Sequence, residues 1–580
     1  MIRLDKHTFK NGVVKTQVRV VEGYRDKDKK MKQRTIKNFG YLEAQIDQDA
    51  FLKEVKVFDE EFKKRKKTPA HSIKVPFDMD NTSLPFNYGY IYLESIYNAL
   101  KLDEFFSNYN TKFEYNINDI FKFFTIQRIL NPSSKRSTHQ LIESLYNFNI
   151  DFELHDVYRS LDFLDKVKVD LQKHINDQIK KLIGRDSSYA FYDVTNYYTE
   201  IDIPKSEDDL RQRGVSKEHR VDPIIQLGLF IDSNGIPISM SLFKGNTSDS
   251  KTLQPVMREI KDNYNLNRLI VVADKGLNSS SNINYIVNNG DGYVVSQILK
   301  GKKGKRYQDK LFEEDNYIYN IDGSFKYQTF IEDYEIINNE GNKEIKQRKV
   351  LIYWKKEDAI KEEKKREDKL ERAKKSLTNN AYAITHSYEQ YIKEIHSVSD
   401  TGEVASKTSR TLDNNKIDND SMYDGYFCII TSELDYDYKK ILEVYSGLWR
   451  IEESFKITKS ELETRPIYLN TEAHINGHFL MCYVALVIIR LLQYKMNYSL
   501  SVERIVKALN TSKCLKLENG LIKVLRNEST KEYKDKKLSF SDDDQIINDF
   551  KKIIKSFNND IPWSTYEVKE FNKYLDNIKY

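Results

Sequence analysis

Three acidic residues stand where they could serve chemistry at phosphorus. Asp193 closes the short apolar run "SSYAFYDVT", Asp274 ends "RLIVVAD", and Glu452 lies inside "YSGLWRIEESFKITK", residues 445–459. Hard divalent cations such as Mg²⁺ take oxygen ligands, typically one or two protein carboxylates plus water and substrate phosphate. Two such ions about 3.5–4 Å apart activate an attacking oxygen and stabilise the leaving one in an in-line displacement. Asp193, Asp274 and Glu452 are therefore the candidate catalytic and metal-ligating residues, and the implied cofactor is a pair of Mg²⁺ ions, with Mn²⁺ able to substitute. Taken singly each has a plainer reading, since an Asp at a strand end caps a turn and Glu452 can pair with Lys456 at i+4. Their joint placement favours the ion site.

These acids need elements to bring them together. At 100° per residue a step of seven falls about 20° short of two full turns, so Tyr445, Glu452 and Lys459 align on one helical stripe. Leu448, Trp449, Phe455 and Leu462 fall on or beside that stripe, the face a helix normally buries. Glu452 is thus predicted to point inward and Glu453 toward the polar side, and a buried carboxylate is costly unless paired or metal-bound. Upstream, "SSYAFYDVT", "PIIQLGLFID" and "IPISMSLFKG" read as strands, the last two joined by a turn at Ser233-Asn234-Gly235. "TLQPVMREIKDNY" reads as a helix and "RLIVVAD" as a fourth strand. Strand, strand, strand, helix, strand resembles the opening of an RNase H-like domain, in which the first and fourth strands are neighbours.

The predicted class is α/β: an RNase H-like core (187–294 and 426–495) split by a β-rich insertion (295–425) that carries the charged helix "KKEDAIKEEKKREDKLERAKKSL". A basic β-hairpin arm with a charged turn at 25–30 and a linker at 63–72 fills 1–80. Apolar residues at helical spacing make 81–186 a helical domain, and 496–580 is a polar helical tail. The 580 residues exceed one compact core, and with 39% apolar and 31% charged residues they suit globular packing. The net charge is only +5, yet Met1 to Gly40 holds 12 Lys/Arg against 4 Asp/Glu. That segment either tracks a phosphate backbone or forms a solvated basic hairpin.

Cys428, Cys482 and Cys514 lie far apart, which indicates neither a disulfide framework nor a zinc site. No apolar leader opens the chain, and "FLMCYVALVII" (479–489) is too short to span a bilayer, so a buried helix and a cytoplasmic location are expected. "LKGKKGKR" (299–306) reads as a basic loop, either gripping phosphates or merely at the surface; it lacks the nucleotide-loop pattern. His474 and His478 read as core histidines.

On these residues the chain resembles bacterial insertion-sequence transposases of the DDE type, in the subgroup whose third acid lies in a Y-x2-R-x3-E-x6-K signature. Tyr445, Glu452 and Lys459 match it, and "YDVT" and "VVADKGL" resemble the motifs of the first two acids. "GVSKEHRVDPIIQLGLFID", "FKGNTSDSKTL" and "SELETRPIY" extend the likeness over most of 85–495. The signature arginine is Leu448 here, with Arg450 as the candidate substitute. The resemblance implies cut-and-paste transposition: a metal-activated water nicks the element's end, the new 3′-OH forms a hairpin with the opposite strand, and a second water opens it before strand transfer. It implies double-stranded DNA partners (terminal inverted repeats and target), no membrane, a homodimer on paired ends, and DNA binding by the helical domain. It also implies DNA contacts from Tyr445, Lys459 and Arg450, and aromatic contacts to a flipped base from Trp449 and from Phe427 or its neighbour Tyr426. Core packing is the other reading of Trp449 and Phe427. Two rival functions remain: a DNA-binding protein that no longer cuts, and a structure-selective RNase H-like nuclease.

Overall fold

The computed structural model describes the chain apart from residues 1, 10–11, 26–30, 46, 68–84, 110–112, 186–188, 201–203, 205, 216–220, 265–267, 379–387, 399–403, 518–519, 526–541, 561 and 563–564. The chain forms two compact units, Met1–Thr82 and Ser83–Tyr580.

The first unit is more than a hairpin. Strands β1 (Ile2–Thr8), β2 (Val14–Arg25) and β3 (Met31–Tyr41) form an antiparallel sheet in that order, followed by helix α1 (Gln48–Lys67). Val18 and Val20, two apart and so on one face of β2, are fully buried together with Val55 of α1. Residues 63–67, expected in a linker, are the end of α1; the rest of that linker and nearly all of the predicted charged turn lie outside the described residues.

In the second unit, helices α2 (Ile117–Leu130) and α3 (Leu154–Ile183) precede the main sheet. A capping box at Glu153 and Asp156 starts α3, and Gly184 in the left-handed conformation ends it. The sheet then takes up β4 (Tyr189–Tyr198), β5 (Ile224–Ile231), β6 (Pro237–Lys244), helix α4 (Leu253–Tyr264), β7 (Ile270–Ala273) and β8 (Gly292–Ser296). Strands β9 (Ile318–Tyr319), β10 (Phe325–Ile337), β11 (Lys343–Lys355) and β12 (Tyr426–Thr431) complete it, in the order β9-β10-β11-β12-β8-β7-β4-β5-β6. Its β6-β5-β4-β7-β8 half has β4, β7 and β8 mutually parallel and the outer two strands antiparallel, the RNase H-like order expected. After β12 come α5 (Tyr438–Ser446), α6 (Trp449–Lys456), a π-helical turn at Ile457–Glu461, and α7 (Glu472–Lys495).

Two differences from the sequence reading bear on the site. The insertion is not a separate β lobe: β10 and β11 extend the main sheet through β12, with Tyr353 paired to Phe427. Nor do the expected borders at 186 and 495 separate bodies. The core on one sheet face joins Phe191 and Val272 to helical residues such as Phe121 and Leu161, to α7, and to C-terminal Phe571. Asn87, at the start of this unit, donates to the carbonyl of Leu509, and Phe86–Asn87 pairs with Lys513–Lys516. The 24-residue helix α7 is long and apolar enough to cross a membrane, but Ile475 to Gln493 are all buried inside the fold. "LKGKKGKR" is not a loop either. Most of it begins the helix Gly301–Leu311, anchored by buried Tyr307 and Leu311.

Candidate active site

Side chains of a strand alternate between the two sheet faces, so residues two apart share a face. Phe191 of β4 and Val272 of β7 are paired neighbours on the face that meets the helices. Two residues further on come Asp193, still within β4, and Asp274, the residue that follows the end of β7, and both line one cavity. Helix α6 packs on β4 from this side, burying Ile451, Ser454 and Phe455. Its neighbouring residue Glu452 then meets the two aspartates at one cavity of about 750 Å³, lined also by Tyr445, Leu448, Trp449, Tyr353, Lys355, Lys439 and Glu443.

The reason given for Glu452 needs correcting. It is exposed, and the buried stripe runs through Ile451, Ser454, Phe455 and Thr458 instead. Glu453, expected on the polar side, is the glutamate that turns to the core. It accepts from Nη1 of Arg490, a fully buried arginine of α7, at 2.7 Å. Arg490 also donates to the carbonyl of Gly235 at 3.0 Å and to Gln493 at 2.9 Å. One guanidinium thus ties the β5–β6 turn to the helix that carries Glu452.

The single stripe fails because the helix is not continuous. It breaks between Ser446 and Trp449 and widens into the π turn at 457–461. At Gly447 an added Cβ would lie 2.3 Å from Cζ of Phe191, so only glycine lets the chain pass this close to β4. Across the break Tyr445 still reaches the site, its hydroxyl 3.4 Å from Oδ1 of Asp274, while Ser296 Oγ donates to the same oxygen at 2.8 Å. Burial pushes the Tyr445 phenol up to about 12, so it is a proton donor at neutral pH.

Trp449 is 53% exposed and lines the cavity, which excludes plain core packing. Lys459, Arg450 and Phe427 do not line it. The Lys459 ammonium lies 5.5 Å from the Tyr197 ring, and the Arg450 guanidinium lies 5.2 Å from the Trp449 ring. Phe427 stacks on Tyr353 at 5.2 Å, one ring behind the wall, whereas Tyr426 points to the opposite sheet face. Sequence reasoning missed Tyr353, Lys355 and Lys439. No ion pair among the described residues takes up either lysine. Lys355 ends β11, and the signal overlooked was the apolar run "KVLIYWK" (349–355), which could have placed that strand in the main sheet.

Among the described residues no three His, Cys, Asp or Glu side chains come close enough to enclose a metal ion. The donors nevertheless suit Mg²⁺ or Mn²⁺: Asp193, Asp274 and Glu452 open on one cavity together with Glu443, and Mg²⁺ keeps several water or phosphate oxygens beside one or two carboxylates.

The family model described as transposase DDE domain matches residues 199–488, a span that holds Asp274 and Glu452 and begins after Asp193. A second, the IS1634 family transposase N-terminal domain, matches residues 2–68. No curated protein matches the chain. Among solved structures it is similar to a Mos1 transposase paired-end complex with left transposon end, at 15% identity over 44% of this chain and 69% of that one, with a TM-score of 0.14.

Proposed function

The chain belongs to the DDE transposases of insertion sequences, and from that premise we propose that it performs cut-and-paste transposition through hairpin ends. Water opens the phosphodiester at the element's end and leaves a 3′-OH. That hydroxyl attacks the opposite strand to close a hairpin, a second water reopens it, and the freed 3′-OH attacks target DNA. Asp193, Asp274 and Glu452 are the residues that would hold Mg²⁺ or Mn²⁺, which when bound activate the attacking oxygen and stabilise the leaving one.

The other residues prepare the site. Tyr445 and Ser296 converge on one oxygen of Asp274 and fix its carboxylate, leaving the second oxygen to the cavity. Lys355 and Lys439 on the cavity wall attract the phosphate backbone and take over from the arginine that Leu448 replaces. Trp449 offers a ring face to a displaced base, stacking worth about 1–3 kcal/mol. Lys459 and Arg450 contact DNA beyond the cavity, the first unit and the helices before residue 187 supply end recognition, and two chains act on paired ends.

What supports this reading most is that three acids far apart in sequence open on one cavity. Labelled end DNA tests it. The wild type should nick only with divalent ion, and Asp193→Ala, Asp274→Ala and Glu452→Ala should each bind the DNA without nicking it. Wild-type nicking by any one of them would remove that acid from the site. Nicking that ignored the terminal sequence would favour the structure-selective nuclease.

A further inference from the structure

A second cavity, of about 590 Å³, shares no lining residue with the first. Its wall is rich in basic side chains: Arg128, Lys135, Arg465, His474 and a neutral His478 line it, against the single carboxylate of exposed Glu463. Lys135 and Arg128 are each only 6% exposed. Their polar partners are neutral, with Lys135 Nζ 3.3 Å from His478 Nδ1 and Arg128 donating to the Ser133 carbonyl at 2.8 Å. No ion pair among the described residues reaches either one; of the lining cations, His474 pairs with Asp162 at 3.3 Å.

Burying cations without an anion is costly. The strain is visible in the lysine, which burial and the nearby Arg128 charge push down to about 7. The same causes, with Lys135 itself, drive His478 well below the usual histidine range. Two further features of the wall suit an anion. Thr464 Oγ1 is buried without a hydrogen-bond partner. The N-terminus of α7 reaches the cavity through Thr471 and His474, and the positive end of a long helix favours negative charge.

We propose that this cavity binds a phosphate group, with Lys135 and Arg128 as its charge partners. The site stands independently of the roles given to Asp193, Asp274 and Glu452. Two sources carry that chemistry: a phosphodiester of bound DNA, and free inorganic phosphate.

The test compares the full-length wild type with Lys135→Met, which keeps an unbranched side chain but lacks the ammonium, and with Lys135→Gln should the first variant fail to fold. Thermal unfolding is followed in inorganic phosphate against chloride at equal ionic strength. Binding of duplex DNA is measured over a range of salt. Wild-type melting should rise with phosphate beyond the chloride control, and the variants should lose that rise. If the occupant is a backbone phosphate, the slope of log affinity against log salt should also fall by about 0.9 in the variants. Loss of the phosphate response alone assigns the site to the free anion, and a reduced slope, with or without that loss, assigns it to DNA. Variants matching the wild type in both measurements would overturn the proposal.

Discussion

Glu452 and Glu453 are adjacent and are expected to fail in different ways. Removing Glu453 strands the Arg490 guanidinium, fully buried in α7, without its anion. Breaking a buried pair this way costs about 3 kcal/mol or more, so Glu453→Ala should lower the denaturation midpoint in urea. Glu452→Ala touches an exposed side chain and should leave the unfolding free energy within about 0.5 kcal/mol of wild type while nicking is lost. Trp449→Ala should also spare stability, because the ring is half exposed. Losing one stacked base of about 1–3 kcal/mol slows hairpin formation or opening roughly five- to hundred-fold, with initial nicking mostly intact on strand-resolved gels; an equal loss at every step would remove the ring from the hairpin stages. Lys135 gives a pH signature. Its folded value of about 7 lies below its ordinary 10.5, so between those values the unfolded chain binds the extra proton and stability rises with pH. The groups around it, Arg128, His478 and Cys482, include no carboxylate to oppose this. Lys135→Met should flatten the melting temperature across about pH 7 to 10.

At the scale of elements, the break at Gly447 sets where Glu452 points. Gly447→Ala drives a methyl into Phe191, and overpacking of this kind costs about 1–3 kcal/mol. It should lower both melting temperature and nicking, and Phe191→Leu in the same chain should restore part of each; no rescue would mean that the two do not touch. This break also marks what could be read from sequence. The strands bearing Asp193 and Asp274 were legible, because alternation and a Ser-Asn-Gly turn are local signals. A lone glycine inside a helical pattern is normally tolerated, and a π turn has no spacing of its own, so the stripe from Tyr445 to Lys459 looked continuous. Glu452 does open on the cavity with the two aspartates, but as an exposed residue and not on a buried stripe. Lys355 and Tyr353 escaped notice because pairing of β11 with β12 joins residues far apart in sequence.

For the whole molecule, the two units predict which truncation is informative. Residues 83–580 form one compact unit and should keep their melting transition without the first 82 residues while losing affinity for element ends. Removing residues 1–180 deletes α2 and most of α3, whose Phe121, Ile126 and Leu161 belong to the main core. That shorter chain should not fold, as circular dichroism and limited proteolysis would show. The charged run at 63–72, expected as a linker, begins inside helix α1, and the first unit extends to Thr82. The unity of 83–580 was not legible, because helical spacing reveals that a face is apolar but not what covers it.

The long reach of Asn87 to Leu509, 422 positions along the chain, has a consequence during synthesis. Ribosomes add about 5–20 residues per second, so roughly 20–85 s separate the emergence of these two partners. For most of that interval the apolar faces of α2 and α3 lack α7, and to its end they lack the C-terminal residues that cover them. The nascent chain therefore carries uncovered apolar surface for most of its translation, and a ribosome that stalls before α7 should leave behind an aggregation-prone fragment.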